Sequence, residues 1–144
     1  MSDLNTTLNL LLAFLLGGAI GWLREKEGKT AGLRTHILVS VGSALFAMLS
    51  AEMMLVSGLA DPGRIAAGIV SGIGFIGAGC IVQARGAVRG ITTAASVWIT
   101  AAIGIAAGVG FYVGAIVATV ISLITLQLLR EVEKRIIKTK GSEE

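Results

Sequence analysis

The sequence has few of the residues from which catalytic and metal sites are usually built. It contains one cysteine, Cys80, and one histidine, His36, which excludes an internal disulfide bond and argues against a Cys/His metal cluster. No nucleophile elbow, phosphate-binding loop or pair of carboxylates at catalytic spacing occurs in it. We therefore expect the protein not to be an enzyme and to hold no resident cofactor.

Charged residues are scarce as well. They make up 15% of the 144 residues, against about 25% in a typical soluble domain, and 54% of the residues are hydrophobic. No basic residue precedes the first apolar run, and Trp22 and Arg24 follow it in place of a small-residue cleavage site. We expect this run to be retained, because a cleaved signal peptide has both features. The composition predicts an integral membrane protein.

The length of the apolar runs predicts how many helices cross the membrane. A bilayer core of about 30 Å needs about 20 helical residues. The last apolar stretch is too long for one span, so we place a tight turn at Gly108–Gly110, where glycine permits an unusual backbone. The sequence predicts an all-α polytopic protein with five transmembrane helices, namely Thr6–Leu23, His36–Ser57, Arg64–Gln83, Thr92–Gly108 and Gly110–Leu129.

The basic residues are divided unevenly between the two ends of these helices. Eleven of the twelve lie after the first, third and fifth spans, and Arg64 alone lies at the other end. By the positive-inside rule, the loops 24–35 and 84–91 and the C-terminus are cytoplasmic, whereas the N-terminus and the loop 58–63 face outward. We expect a five-span domain over residues 1–129 and a short basic helical tail over residues 130–144. The tail either meets anionic lipid headgroups or forms a solvated helix end.

The third span carries many small residues on one side. Projected at about 100° per residue, its glycines other than Gly77 form a smooth side with Ser71 and Ala78, and its isoleucines lie opposite, with Gly77 among them. We expect the smooth side to pack tightly, because small residues let helix backbones approach in lipid. The alternative is a helix broken at Gly77–Gly79 that exposes carbonyls to an ion or substrate. The packing candidates are Gly68, Ser71, Gly72, Gly74, Gly77, Ala78 and Gly79, and similar spacings recur at Gly17/Gly21, Gly104/Gly108 and Gly110/Gly114.

Polar residues at the cytoplasmic helix ends are the candidate ligand site. Helix N-termini attract anions, so two of them on one membrane face predict a shared anion-binding patch. The alternative is helix capping, by Thr35 in the second span, together with snorkelling arginines. The candidates are Arg34, Thr35, His36, Arg89, Thr92 and Thr93.

Two acidic residues are candidates near the outer end. Glu52 is the acidic residue that lies clearly inside a predicted span, and an intramembrane carboxylate is a functional candidate. With Asp61 it offers oxygen ligands to a hard cation such as Mg²⁺. The alternatives are an interfacial position for Glu52 and a helix cap or local ion pair for Asp61.

Three runs of the sequence resemble the MgtC/SapB family of bacterial inner-membrane proteins. They are AGLRTHILVSVGSALF (31–46), DPGRIAAGIVSGIGFIGAG (61–79) and VRGITTAASVWITAAIGIAAG (88–108), and the similarity extends from Gly17 to about Gly114. The resemblance implies a five-span domain with an external N-terminus. It also makes Arg24 and Glu25 candidates, since the family often reads G-x-E-R-E there, with an acidic residue where this chain has Leu23. Larger members carry a further cytoplasmic domain, so we expect this chain to be the membrane domain alone.

The resemblance also implies a function. Members are associated with magnesium homeostasis and with growth or virulence at low Mg²⁺, and the best-known ones resemble regulators of other membrane machines, including the ATP synthase. We expect a regulator of this type that forms homo-oligomers, contacts lipid and binds no nucleic acid. The alternative is an oligomeric ion or small-solute transporter or channel. Only the resemblance brings Mg²⁺ into either hypothesis.

Overall fold

The computed structural model describes residues 2–57, 61–84 and 86–140, and it contains five helices and one small hairpin in that part of the chain. Four helices are long and apolar enough to cross a membrane, and a shorter apolar helix covers Gly63–Gly79. The prediction of an all-α membrane protein with five helices is confirmed. The elements are α1 (Asp3–Lys26), α2 (Leu33–Ser57), α3 (Pro62–Gly79), β1 (Val82–Ala84), β2 (Ala87–Arg89), α4 (Ile91–Gly108) and α5 (Tyr112–Lys140).

The turn between the last two helices lies where the sequence predicts it. Helix α4 ends at Gly108 and α5 begins at Tyr112. Between them, Gly110 has φ +81°, in the left-handed region that glycine adopts without steric cost. Helix α5 then continues beyond the predicted membrane boundary at Leu129 as far as Lys140.

The end of the third span differs from the prediction. Helix α3 stops at Gly79 instead of Gln83, and the predicted loop 84–91 is replaced by an antiparallel hairpin in which Val82 pairs with Arg89. Gly90 explains the compact return of the chain, because its φ is +93° and a Cβ there would overlap the carbonyl of Cys80. Of the predicted loops and tail, Gly58–Ala60, Arg85 and residues 141–144 lie outside the described residues.

Helix α2 lies between α1 and α4 at very close range. A Cβ at Gly17 of α1 would be 2.6 Å from the Cβ of Ser40, and one at Gly104 of α4 would overlap the carbonyl of Ser40. One turn further along α4, a Cβ at Gly108 would be 2.9 Å from the Cα of Ala44. The predicted close packing at Gly17/Gly21 and Gly104/Gly108 is therefore confirmed, and both pairs pack on α2.

The side that α3 turns to the bundle is the reverse of the predicted one. Ile73 is buried against α4 residues such as Val97, with Ile69 and Cys80 beside it. A Cβ at Gly68, Gly72, Gly74 or Gly79 would meet nothing within 4 Å, and Ser71 and Ala78 are exposed. Within the described residues the predicted smooth side does not pack, whereas Gly77, on the isoleucine side, has its Cβ position 3.6 Å from Ala94. The helix stops at Gly79, inside the segment of the broken-helix alternative, but the carbonyls of Gly77 and Ala78 accept from the N–H groups of Cys80 and Ile81 and are not free for a ligand.

Glycine-to-alanine changes at Gly104 and Gly72 should have opposite effects on stability. Alanine is the better helix former by about 1 kcal/mol, which favours both changes equally. At Gly104 the new methyl group overlaps the α2 backbone, and such overpacking costs about 1–3 kcal/mol. At Gly72 it meets open space.

Thermal unfolding in detergent, followed by circular dichroism, checks this pair. We expect a lower Tm for Gly104→Ala and an unchanged or higher Tm for Gly72→Ala. Equal shifts in the two variants would contradict the packing described for α2 and α4.

Candidate functional site

A buried arginine links α1 to α4. Arg24, in the last turn of α1, is 2% exposed, and its Nη2 donates to Oγ1 of Thr93 at 2.8 Å. Its Nη1 lies 3.2 Å from Oε2 of Glu27, whose side chain is 8% exposed. A guanidinium removed from water must be paired and hydrogen bonded, because an isolated buried charge is very costly. Glu27 pairs with its charge, and Thr93 accepts one of its hydrogen bonds.

His36 continues this network onto α2. It is fully buried, and its Nδ1 donates to the carbonyl oxygen of Gly32 at 2.8 Å, since a carbonyl only accepts. Its Nε2 lies 3.1 Å from Oγ of Ser96, which in turn donates to the carbonyl of Thr93 at 2.8 Å. We call Arg24, Glu27, His36, Thr93 and Ser96 the polar cluster. It joins α1, α2 and α4 at the end of the bundle where the basic residues concentrate.

The N-terminus of α2 is capped by a carboxylate from α1. Oε2 of Glu25 accepts from the backbone N–H of Leu33 at 2.9 Å, and a Cβ at Gly32 would overlap that carboxylate. A negative charge at this position interacts favourably with the helix dipole. Capping by Thr35 was the wrong prediction, because α2 begins two residues earlier, at Leu33, and Glu25 already supplies the anion.

The structure separates the six residues of the predicted anion-binding patch. His36 and Thr93 are buried in the polar cluster, whereas Arg34, Arg89 and Thr92 are exposed, and Thr35 is partly exposed. None of the six hydrogen bonds to another within the described part of the chain. The patch stays a prediction for the exposed arginines, and the two buried members have structural partners.

The acidic candidates lie at the other end of the bundle. Asp61 caps α3, with Oδ1 accepting from the N–H of Gly63 at 2.8 Å, as in the capping alternative. Glu52 lies exposed on α2. Residues 2–57, 61–84 and 86–140 contain no group of three or more His, Cys, Asp or Glu side chains that could hold a metal. Cation binding by Glu52 and Asp61 stays a prediction.

Asn9 forms a second polar connection, which is not among the predicted site residues. Asn9 of α1 is 2% exposed, its Nδ2 donates to the carbonyl oxygen of Gly108 at 3.1 Å, and its Oδ1 accepts from the hydroxyl of Tyr112 at 2.8 Å. This contact fastens α1 to the turn between α4 and α5. An asparagine inside an apolar span was the available signal, because such a group needs a partner in the membrane.

Two clefts flank α3 on its bundle side. One lies between α2 and α3, has a volume of about 810 Å³, and is apolar apart from Arg64 and Ser43. The other, of about 450 Å³, lies between α3 and α4 beside Trp98. The larger cleft is lined by Leu38, Val39, Gly42, Ser43, Phe46, Arg64, Ile65, Gly68, Ile69, Gly72, Ile73 and Ile76.

Four spanning helices, a shorter apolar helix and a buried polar cluster define a small polytopic helical membrane protein. The chain belongs to the MgtC family, whose model matches residues 10–135. It is 48% identical over 129 residues to Protein MgtC of Salmonella typhimurium LT2, covering 90% of this chain and 54% of that protein. It is 51% identical over 118 residues to Protein MgtC of Brucella abortus 2308, and this match covers 82% of the chain and 48% of that protein.

A third relative carries a different name. The chain is 43% identical over 134 residues to the protein named "Putative magnesium transporter YhiD" of Escherichia coli K12, covering 90% of this chain and 62% of that protein. The chain thus spans about half to three fifths of the length of the curated relatives it matches. No solved structure matches it.

Loss of the Thr93 hydroxyl should destabilise the bundle more than loss of the neighbouring Thr92 hydroxyl. Thr93→Val removes an acceptor from buried Arg24, and a hydrogen bond to a charged group contributes about 1.5–3 kcal/mol. Thr92→Val makes the same chemical change at an exposed position, where about 0.5 kcal/mol or less is expected. Thermal unfolding of both variants measures the difference, and equal Tm values would argue against a structural role for the Arg24–Thr93 contact.

Asn9→Leu should loosen the connection between α1 and the α4–α5 turn. It leaves the Gly108 carbonyl and the Tyr112 hydroxyl without their partner, at about 1–3 kcal/mol for each buried group that stays unsatisfied. Asn5→Leu, at an exposed site one turn earlier, is the matched control. Hydrogen exchange at the start of α5 should rise in the Asn9 variant alone. Unchanged exchange in Asn9→Leu would mean that the asparagine does not hold the turn.

Proposed function

We propose that this protein is a membrane regulator of the MgtC type that acts on partner membrane proteins and is linked to magnesium homeostasis or low-magnesium stress. Membership of the family and the name of the YhiD relative support the link to magnesium. Because the chain spans only part of those relatives, their whole activity is carried over as a proposal. The partners proposed are a second copy of this chain and other membrane proteins, with the ATP synthase suggested by the family resemblance.

The observation that carries the proposal is the unpacked side of α3. We define the partner face as Gly68, Ser71, Phe75, Ala78 and Gly79, which share one side of the helix and are exposed. Phe75 is 85% exposed and stands between small residues. The comparable glycines of α1 and α4 already pack against α2. A Cβ at Gly68 or Gly79, by contrast, would meet nothing within 4 Å.

A small-residue face is suited to a transmembrane helix of a partner. Apolar side chains gain little by leaving lipid for protein, so helix association in the membrane depends on close van der Waals contact. Gly68, Ser71 and Gly79 allow a neighbouring backbone to come close, and Phe75 supplies a side chain that inserts into a partner's groove.

The proposed location is the plasma (inner) membrane, with the N-terminus outside and the C-terminus in the cytoplasm. The uneven distribution of basic residues supports this orientation, since eleven of twelve lie at one end of the helices. The partner face then lies within the bilayer, and the basic end meets the anionic cytoplasmic leaflet.

A leucine on the partner face should abolish function while leaving the fold intact. Gly79→Leu adds bulk where the chain itself has open space, so the variant should fold but keep a partner helix at a distance. Ala19→Leu adds similar bulk at an exposed position of α1, outside the partner face and both clefts. In a strain that lacks its own MgtC-family protein, we expect growth at low Mg²⁺ to be rescued by the wild type and by Ala19→Leu, but not by Gly79→Leu.

Proteoliposomes containing only the purified protein distinguish regulation from transport. A regulator gives no Mg²⁺ or proton flux above that of empty vesicles. Reproducible flux of either ion from the pure protein would overturn the proposal in favour of a transporter. Rescue of growth by Gly79→Leu would instead exclude the partner face as the acting surface.

A further inference from the structure

The cleft between α2 and α3 follows α3 from the end that carries Arg64. Its walls run from Leu38 to Phe46 on α2 and from Arg64 to Ile76 on α3, which corresponds to about 12 Å and about 18 Å at 1.5 Å per residue. A hydrocarbon core of about 30 Å gives each leaflet about 15 Å. The cleft is therefore slightly longer than one leaflet is deep and much shorter than the whole core, and it extends past the middle of α3.

The cleft between α2 and α3 is wide because both of its walls contain glycines, which have no side chain. Gly42 on α2 and Gly68 and Gly72 on α3 line the cleft, and a Cβ at any of them would meet nothing within 4 Å. The remaining lining is aliphatic or aromatic, apart from Ser43 and Arg64. A cleft of about 810 Å³ with such walls accepts a flexible hydrocarbon chain.

A single cation lies at the membrane-surface end of the cleft. Arg64 is exposed, and within the described residues its side chain makes no hydrogen bond or ion pair. Asp61, three residues earlier, is turned to the N–H of Gly63. Arg64 is also the one basic residue of the sequence at this end of the helices, so a negative group here has one specific partner.

We propose that the α2–α3 cleft binds an anionic phospholipid of the outer leaflet. One acyl chain lies between the helices, and the phosphate group is held by the guanidinium of Arg64, which offers several N–H donors to phosphate oxygens. A transmembrane helix requires about 30 Å, whereas the walls of the cleft are about 12–18 Å long and match a shorter occupant. The apolar walls distinguish the site from one for a free anion.

Quenching by brominated lipid tests this site directly. Phe46→Trp places a fluorescent reporter in the cleft, and Trp22→Phe and Trp98→Phe remove the other two tryptophans. The protein is reconstituted with dibrominated phosphatidylglycerol or dibrominated phosphatidylcholine at matched mole fractions. We expect the reporter to prefer phosphatidylglycerol by about fivefold in relative affinity, the effect of one interfacial basic residue.

Two arginine variants identify the source of that preference. Arg64→Gln should remove it, and Arg89→Gln, at the other end of the bundle, should leave it unchanged. Raising the salt concentration should reduce it, because the contact is near water. Circular dichroism of each variant checks that the helices are retained.

Each other outcome overturns the proposal. Equal quenching by the two lipids means that the cleft is filled by bulk lipid without recognition of the headgroup. Absence of quenching by either lipid means that protein, such as a second copy of the chain, covers the cleft. A preference that survives Arg64→Gln places the anion elsewhere. The quenching experiment reports on the cleft and the growth experiment on the partner face. Gly68 belongs to both surfaces but is changed in neither experiment, so the two proposals can fail separately.

Discussion

The close approach of α1 and α4 to the backbone of α2 is the constraint on which the rest of the bundle depends. Ser40 lies where the three helices meet, with Gly17 against its Cβ and Gly104 against its carbonyl. The Ser40 hydroxyl is buried without a hydrogen-bond partner among the described residues, which is the polar cost of bringing the helices so close. In a membrane this contact substitutes for the hydrophobic gain that drives packing in water.

Smooth helix surfaces slide easily past one another, so the bundle needs directional contacts to fix its register. The polar cluster supplies them at one end, through Arg24 and His36, and Asn9 supplies them at the other. Each contact reaches α4, directly or through its turn, from α1 or α2. Glycine packing thus sets the distance between the helices. The hydrogen bonds near the two ends of the bundle set their alignment.

The sequence is sufficient to predict where the helices lie along the chain, but not which of their residues are in contact. Apolar length and the glycines at the last turn predict α1, α2, α4 and α5 closely, because these features act locally. A helical-wheel projection of α3 correctly groups Gly72 and Gly79 apart from Ile73. It does not show which side of the helix packs against the other helices. The same limit applies to Glu25, whose role as a cap for α2 depends on the folded path of the loop between them.

The sequence likewise predicts only some residues of the candidate site. Their position at helix ends predicts Thr93 and His36 as site residues, and the structure places both in one buried network with Arg24. Their partners, Glu27 and Ser96, could not be chosen in advance, because hydrogen bonds between helices depend on rotation about each helix axis. Arg34 and Arg89, which share the same helix ends, turn outward.

The length of α3 has a consequence for the membrane itself. Its 18 residues span about 27 Å, less than the roughly 30 Å of the hydrocarbon core, whereas the 25 residues of α2 exceed it. Helix α4 is equally short, but half of its span is buried among its neighbours, so α3 is the short helix that faces lipid. A helix of this length in contact with lipid is accommodated by thinning of the bilayer, by snorkelling of flanking residues or by oligomerisation, at a fraction of a kcal/mol for each ångström of mismatch. The mismatch therefore favours thin regions of membrane and neighbours whose own helices are short.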